Sequence, residues 1–473
     1  MSEIQEISTD LLVIGAGPGG YEAAIYAAKN GLDVVIAEKG KCGGTCLNIG
    51  CIPTKALVKT AEVFHTVQNA GAFGIHVDGS VSIDMGEVQS VKKQITETLC
   101  SGVQYLLQKN KIRLLLGNAS FEDEHTVLVQ GEQEWKVQAR NILIATGSVP
   151  AVPPIPGMAL HQVLDSTAAL ALEELPSSVT IIGGGVIGME FAFLYSRLSV
   201  KVEVVEFLDR ILTMVDKDVS QELGRAAKRA GIVIHTSSRV SAIEEAEDGK
   251  AKVIYEDKKG VHTLVSDKVL AAVGRKPFYE GLMPEKAGVA TAERGKGIPV
   301  DTFMRTNVAH IYAIGDVTNR IQLAHCASHQ GFTAVDHICG KEHEMNYEII
   351  PNVIFTAPEI ASVGMTEAKA KEAAAAGGPE YLVSKFPFAA NGKAMTMQET
   401  SGFAKLICRK EDGKILGGSI IGPDASSLAG VLSLAVSCGL KAEDIADTVF
   451  AHPTTAEAIG EAAMGFGKGM INF

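Results

Sequence analysis

Two cysteines and one histidine carry the reactive chemistry of this sequence. In KCGGTCLNIGCIPTKAL, residues 41–57, Cys46 and Cys51 stand five positions apart. Five residues of regular α-helix rise about 7.5 Å, beyond the roughly 4.4–6.8 Å that bridged Cα atoms span. A disulfide between them therefore needs a distorted turn, which Gly50 permits through backbone freedom and Pro53 through its missing N–H. The plain alternative is a pair of buried small hydrophobes. Metal ligation is the weaker reading, because no second Cys/His pair stands at ligand spacing, and no metal is expected. Location favours redox chemistry, since the pair follows directly on a glycine-rich turn where a dithiol can meet a redox cofactor. Near the other end, AHPTTAE places Glu457 five residues after His452. A nearby carboxylate fixes an imidazole tautomer and raises its basicity, the arrangement of a general base that activates a thiol. Taken alone, such a histidine is more often structural.

The elements that must position these groups repeat. TDLLVIGAGPGGYEAAIYAAKNGLDVVIAE, residues 9–38, and SSVTIIGGGVIGMEFAFLYSRLSVKVEVVE, residues 177–206, each read as a buried strand, a glycine-rich turn, an apolar-faced helix and a second strand closed by Glu. Gly15, Gly17 and Gly20 lead to Glu38, and Gly183, Gly185 and Gly188 lead to Glu206 at the same spacing. Glycines there let the backbone approach a pyrophosphate at the helix N-terminus, and the acid accepts hydrogen bonds from ribose hydroxyls. The chain thus holds two dinucleotide-binding βαβ units. A carboxylate at Glu206 repels a 2′-phosphate, so the second site is expected to prefer NAD to NADP, with Arg210 nearby but past the strand end. Lys55 and Glu190 each follow such a motif closely, and their plain reading is a solvated helix-face charge.

Composition narrows the classes. A chain of 473 residues, 46% hydrophobic and 21% charged, is too long for one core and not disordered. A net charge of -12 argues against nucleic acid as a partner. No apolar run is long enough for a membrane span, and residues 1–10 are acidic rather than signal-like, so a soluble cytoplasmic protein is expected. Eight cysteines are too few for a disulfide scaffold. The fold class is α/β, with two Rossmann-like units and a C-terminal α+β unit. Pro150, Pro153, Pro154 and Pro156 mark a crossing between domains. The strand KVLAAVG ends at Gly274 and HIYAIGD ends at Asp316, with the return to the first domain between them. Expected segments are 1–149, 150–274, 275–350 and 351–473, the first interrupted by the second. The run at 368–378 reads as an exposed helix closed by Gly377.

The string GGTCLNIGCIPTK, the two glycine fingerprints, RTNVAHIYAIGD and HPTTAE follow one another as in the flavin-dependent pyridine nucleotide-disulfide oxidoreductases. The resemblance spans essentially the whole chain, and within that family LNIGCIPTKAL and EFLDRIL look most like the lipoamide dehydrogenases. It implies FAD in the first fold, NAD in the second, and a C-terminal interface domain that forms a homodimer. By position, it implies FAD contacts from Gly15, Gly17, Gly20, Glu38, Lys55, Ala119, Thr146, Gly147, Asp316 and Ala324. NAD contacts are implied for Gly183, Gly185, Val186, Ile187, Gly188, Glu206, Val240 and Gly274, and a Lys55–Glu190 pair beside the flavin. Three departures stand out: Phe450 replaces the first His of HAHPT, Cys326 stands where Lys is frequent, and Cys42 is an extra thiol before Cys46.

The resemblance implies a mechanism. A dithiol on a lipoylated carrier domain, from a 2-oxo acid dehydrogenase complex or a glycine-cleavage system, is deprotonated by His452 of the other subunit, with Glu457 orienting it. The substrate sulfur attacks Cys46 and leaves Cys51 as the thiolate, stabilised by Lys55, and electrons pass through FAD to NAD. The alternatives are an NADH-driven reductase of another disulfide, and a non-catalytic flavoprotein, against which the intact Cys46, Cys51, His452 set argues.

Overall fold

The computed structural model describes residues 4–473, apart from the side chain of Arg294, so the acidic start lies partly outside the described residues. The first fold is built on a seven-stranded sheet. Strands Arg113–Leu116, Val34–Glu38, Gln5–Ile14 and Glu134–Ile144 lie side by side in parallel, and Thr126–Gln130 and Asn118–Phe121 extend the sheet antiparallel. Ile311–Ala313 returns much later to pair in parallel with the end of Glu134–Ile144. Strands covered on both faces read as continuous apolar runs, and Leu11 to Ile14 are accordingly buried. Helix Pro18–Lys29 buries Gly19, Gly20, Ala23, Ala24 and Ala27. This small-residue face lets the helix lie close against the sheet and helix Ala324–Ile338.

The second fold has a five-stranded parallel sheet in the order Val233–His235, Lys201–Val205, Ser178–Ile182, Lys268–Ala271, Val163–Leu164. An antiparallel meander, Arg239–Glu245, Ala251–Asp257 and Gly260–Ser266, is attached to it. The chain leaves the first fold through Ser148–Pro150 and comes back through Arg275–Pro277, and these two short strands pair antiparallel. The C-terminal unit is a five-stranded antiparallel sheet covered by helices Ala425–Ser437 and Glu457–Met464. The α/β class, with two dinucleotide-binding folds and a C-terminal α+β domain, is thus the architecture observed. The run at 368–378 lies in helix Glu367–Ala375, followed by Gly377 at φ +85°.

Two long-range contacts bind the units. Helix Cys51–Gln68 packs Leu57 and Ala61 into the same apolar cluster as helix Val186–Arg197 of the second fold. Lys405 of the C-terminal sheet is fully buried, with Nζ at 2.7 Å from Asp216, 2.8 Å from Asp218 and 3.3 Å from Glu367. A buried ammonium persists only when paired. Asp216 and Asp218 lie at the start of helix Lys217–Arg229, so this cluster locks the second fold to the C-terminal sheet.

Candidate active site

The two glycine turns have the same geometry. Gly15 and Gly183 take φ of +106° and +110°, left-handed values that disfavour any side chain. A Cβ at Gly15 would meet the carbonyl of Ala145, and one at Gly183 that of Ala272. A Cβ at Gly20 would meet the carbonyl of Gly15, and one at Gly188 that of Gly183. The middle glycines differ: around Gly17 and Gly185 a Cβ would find nothing within 4 Å. These are the N-caps of Pro18–Lys29 and Val186–Arg197, and neither helix has a side-chain cap. Each turn therefore presents unpartnered N–H groups across open space, the requirement for a pyrophosphate.

Glu38 and Glu206 close the turns. Glu38 accepts from the N–H groups of Ala16 and Gly40, both at 2.7 Å, and is 9% exposed. Glu206 accepts from Gly184 at 2.5 Å and Leu208 at 2.7 Å, and is 8% exposed. Each carboxylate oxygen keeps a lone pair for a ribose hydroxyl. Along the second fold runs a cleft of about 2090 Å³ whose walls include Gly183, Gly185, Val186, Ile187, Glu206, Val240 and Gly274. Gly188 sits inside the turn behind it. Arg210 also lines the cleft, but its Nη2 donates to the Thr213 carbonyl at 2.9 Å.

Gly50 breaks the redox segment into helices Gly44–Ile49 and Cys51–Gln68, with φ −144° and ψ −111°. A Cβ there would press on the Thr45 carbonyl at 2.9 Å. Pro53 falls in the first turn of the second helix, where its missing N–H costs nothing. The break sets the Cys46 and Cys51 thiols against each other, both free, with Cys46 as donor. That hydrogen bond and burial raise Cys46 well above the ordinary thiol range. Cys51 is lowered to about 7, first by the Cys46 donor, then by the Lys55 ammonium, against burial and Glu190. Its place at a helix N-terminus works in the same direction. Cys51 keeps open surface although most of its surroundings are protein. Lys55 Nζ bonds both Glu190 oxygens, at 3.1 and 2.9 Å, and Glu190 also accepts from the Phe355 N–H at 2.9 Å.

His452 Nδ1 lies 2.9 Å from Glu457 Oε1, whose other oxygen accepts from the Thr454 N–H at 2.8 Å. The imidazole is thereby oriented, yet its side chain is 79% exposed and, among the described residues, has no bond to either redox cysteine of its own chain. Phe450 packs beside Gly460, away from this pair's hydrogen bonds. Thr146 donates to the Phe278 carbonyl at 2.5 Å, and Gly147, at φ +73°, begins the outgoing crossing. Asp316 accepts from the Ser148 hydroxyl at 2.5 Å, and burial raises its carboxyl above the usual range. Ala119 lies in the strand Asn118–Phe121, and Ala324 opens the uncapped helix Ala324–Ile338. Cys42 and Cys326 are buried, which pushes each thiol up to about 11 and away from thiolate chemistry. Sequence reasoning assigned nothing to Ser148, Arg275 or Lys405; the RKP stretch directly after Gly274 reads as a loop from sequence and forms a strand in the structure.

Comparison with known proteins agrees with this layout. Residues 9–331 match the family described as pyridine nucleotide-disulphide oxidoreductase, and residues 350–463 match its dimerisation domain. A dihydrolipoyl dehydrogenase of Bacillus subtilis is 40% identical, covering 96% of this chain and 98% of its own length. One from Geobacillus stearothermophilus is 42% identical over 97% and 96%. Among solved structures, the HOCl-induced flavoprotein disulfide reductase RclA of Escherichia coli is similar, with a TM-score of 0.85 at 29% identity over 96% and 99% of the two chains. LpdA of Mycobacterium tuberculosis superposes with a TM-score of 0.88 at 26% identity over 96% and 99%. With two dinucleotide turns, a dithiol between them and a dimerisation domain behind, the chain belongs to the pyridine nucleotide-disulphide oxidoreductase family.

Proposed function

We propose that the chain is a dihydrolipoyl dehydrogenase, oxidising a protein-bound dihydrolipoyl dithiol to its disulfide and reducing NAD. The observation that carries this reading is the Cys46–Cys51 pair, two free cysteines that the break at Gly50 brings together beside the Lys55–Glu190 ion pair, with Cys51 lowered toward the thiolate. The assignment of the carrier dithiol rests on the full-length likeness to dihydrolipoyl dehydrogenases.

The uncapped turn at Gly15, Gly17 and Gly20 with Glu38 fits FAD, and that at Gly183, Gly185 and Gly188 with Glu206 fits NAD, its carboxylate disfavouring NADP. When bound, the flavin supplies the conversion of a thiolate electron pair into a hydride for the nicotinamide. The remaining work belongs to side chains. With the Cys46–Cys51 disulfide formed, His452 takes the proton from one substrate thiol and Glu457 holds the imidazole in the accepting tautomer. The substrate sulfur bonds to Cys46, the Cys46–Cys51 bond breaks, and Cys51 leaves as a thiolate opposite Lys55. The second substrate thiol then gives up its proton as its sulfur displaces Cys46, closing the product disulfide; Cys46 takes up one proton and the other stays on His452. Lys55 balances the Cys51 charge, and Glu190 holds Lys55 in place.

His452 acts across a homodimer. Support comes from its exposure and from the apolar groups the C-terminal domain leaves open, including Leu434, Val449, Ile471 and Phe473. No helix among the described residues is long and apolar enough to cross a membrane. A working thiol pair and no disulfide framework suit the reducing cytoplasm. The partner is a lipoylated carrier domain of a 2-oxo acid dehydrogenase complex or glycine-cleavage system, and a pull-down of lipoylated proteins distinguishes the two. The test of function is NAD reduction by dihydrolipoamide, compared with NADH-driven reduction of glutathione or coenzyme A disulfide. Inactivity with lipoyl substrates beside rapid turnover of another disulfide overturns the reading.

A further inference from the structure

The covalent path between the two dinucleotide folds crosses at two places, and both begin alike. Gly147, at φ +73°, precedes Ser148, and Gly274, at φ +109°, precedes Arg275. The crossing strands share three register pairs, flanked by backbone bonds from Ala151 N–H to the Gly274 carbonyl at 3.0 Å and from Phe278 N–H to the Gly147 carbonyl at 2.9 Å. An isolated two-stranded ladder is at best marginal in water, so something more must fix its angle.

Arg275 supplies that fixing. Its Nε donates to Ser148 Oγ at 2.7 Å and its Nη2 to the Ser148 carbonyl at 2.8 Å. Ser148 Oγ in turn donates to Asp316 Oδ2, which lies 4.0 Å from Arg275 Nε. The hydroxyl spends its single proton on Asp316 and a lone pair on Arg275, which leaves it one rotamer. Three separate elements meet in this cluster: the outgoing crossing, the returning crossing, and the short 3₁₀ helix Gly315–Thr318 after strand Ile311–Ala313. Arg275 also lines the nucleotide cleft beside Gly274, while Asp316 belongs to the first fold.

We infer that Arg275, acting through Ser148 and Asp316, is a positioning residue that holds the second fold at the angle from which electrons cross between the two cofactor sites. The inference rests on the proposed function for its direction of electron flow. Thiol exchange takes place at the redox turn, which meets the second fold through the separate Lys55–Glu190 contact, and Ser148→Ala leaves that contact in place. Transfer between the sites depends on the angle, and a misplacement of reacting centres by about 1 Å can cost ~10²-fold.

The test uses the flavin-loaded Ser148→Ala, Arg275→Met and Arg275→Lys proteins at matched flavin content. Stopped-flow absorbance reads flavin reduction by dihydrolipoamide and reoxidation by NAD separately. Amide hydrogen exchange over residues 147–151 and 274–278 reads the hinge independently of turnover. Expected in Ser148→Ala is a dithiol step within about twofold of the parent, with the NAD step slowed about tenfold or more. Arg275→Met, whose lost charge also faces Cys51, should slow the NAD step by more than the dithiol step. Exchange at the crossings should quicken about tenfold while that of strand Gln5–Ile14 does not change. Lysine cannot reproduce the two-point contact, so Arg275→Lys should fall between. Equal slowing of both steps, an unaltered NAD step, or unaltered exchange at the crossings overturns the inference. If dihydrolipoamide fails to reduce even the parent flavin, the proposed function falls, and the hinge is still read from NADH-driven flavin reduction and from exchange.

Discussion

Replacing Lys55 with methionine should move the titration of Cys51 upward. Cys51 is lowered from 9.0 to about 7 by the Cys46 S–H and the Lys55 ammonium, while Glu190 pushes the other way. The substitution removes one lowering group and leaves Glu190 without its cation, so both changes disfavour the thiolate. An opposite charge within about 4–6 Å is worth roughly one to three pKa units, and the open surface of Cys51 screens this toward the lower end. At pH 7, a one-unit rise takes the thiolate from about half of the molecules to about a tenth, and two units to about a hundredth. The measurement is the iodoacetamide rate of the dithiol protein from pH 5 to 10. A thiolate of higher pKa is intrinsically more nucleophilic, so the midpoint of the profile is the quantity to compare, not the rate at one pH. Glu190→Gln should shift that midpoint downward, because it removes a raising charge while sparing Lys55. The reasoning is refuted if Lys55→Met titrates near 7 like the parent, or if Glu190→Gln raises the midpoint.

Three further outcomes follow from the geometry. His452→Gln should slow dithiol-driven flavin reduction by about 10²–10⁴-fold while NADH-driven flavin reduction proceeds as in the parent; loss of both steps would point to a structural histidine. Glu206→Gln should narrow the preference for NAD over NADP by about tenfold, seen as a ratio of kcat/KM values, because the charge that repels a 2′-phosphate is gone. Lys405→Met leaves the buried Asp216 without its cation, while Asp218 keeps Lys385 at 2.6 Å, and should cost about 3–5 kcal/mol in denaturant unfolding. Lys405→Met combined with Asp216→Asn should recover part of that loss.

What could be read without coordinates were features closed by the local chain. The glycine turns, Glu38 and Glu206 all act on backbone within one βαβ unit: Glu38 on Ala16 and Gly40, Glu206 on Gly184 and Leu208. Their spacing therefore carries their geometry. The same holds for His452 and Glu457, joined within a single turn. The Cys46–Cys51 spacing demanded a break in the helix, and the break lies at Gly50.

Pairings across units have no such local signature. Lys55 and Glu190 each look like an ordinary helix-face charge; they meet because helix Cys51–Gln68 of one fold packs along Val186–Arg197 of the other. Lys405 sits in a strand whose pattern reads as plain sheet, yet three carboxylates from two elements surround it. Ser148, Arg275 and Asp316 are brought together by a crossing out, a crossing back and a late-returning strand. In each case a charged or hydroxyl group is buried where units join, and a buried polar group is tolerable only with its partner in place. The local motifs thus supply the reactive groups, and the non-local pairs set the distances between them. A substitution at a join is therefore read best in a separated step or a titration midpoint, as the hinge and Lys55 tests do, and not in overall turnover.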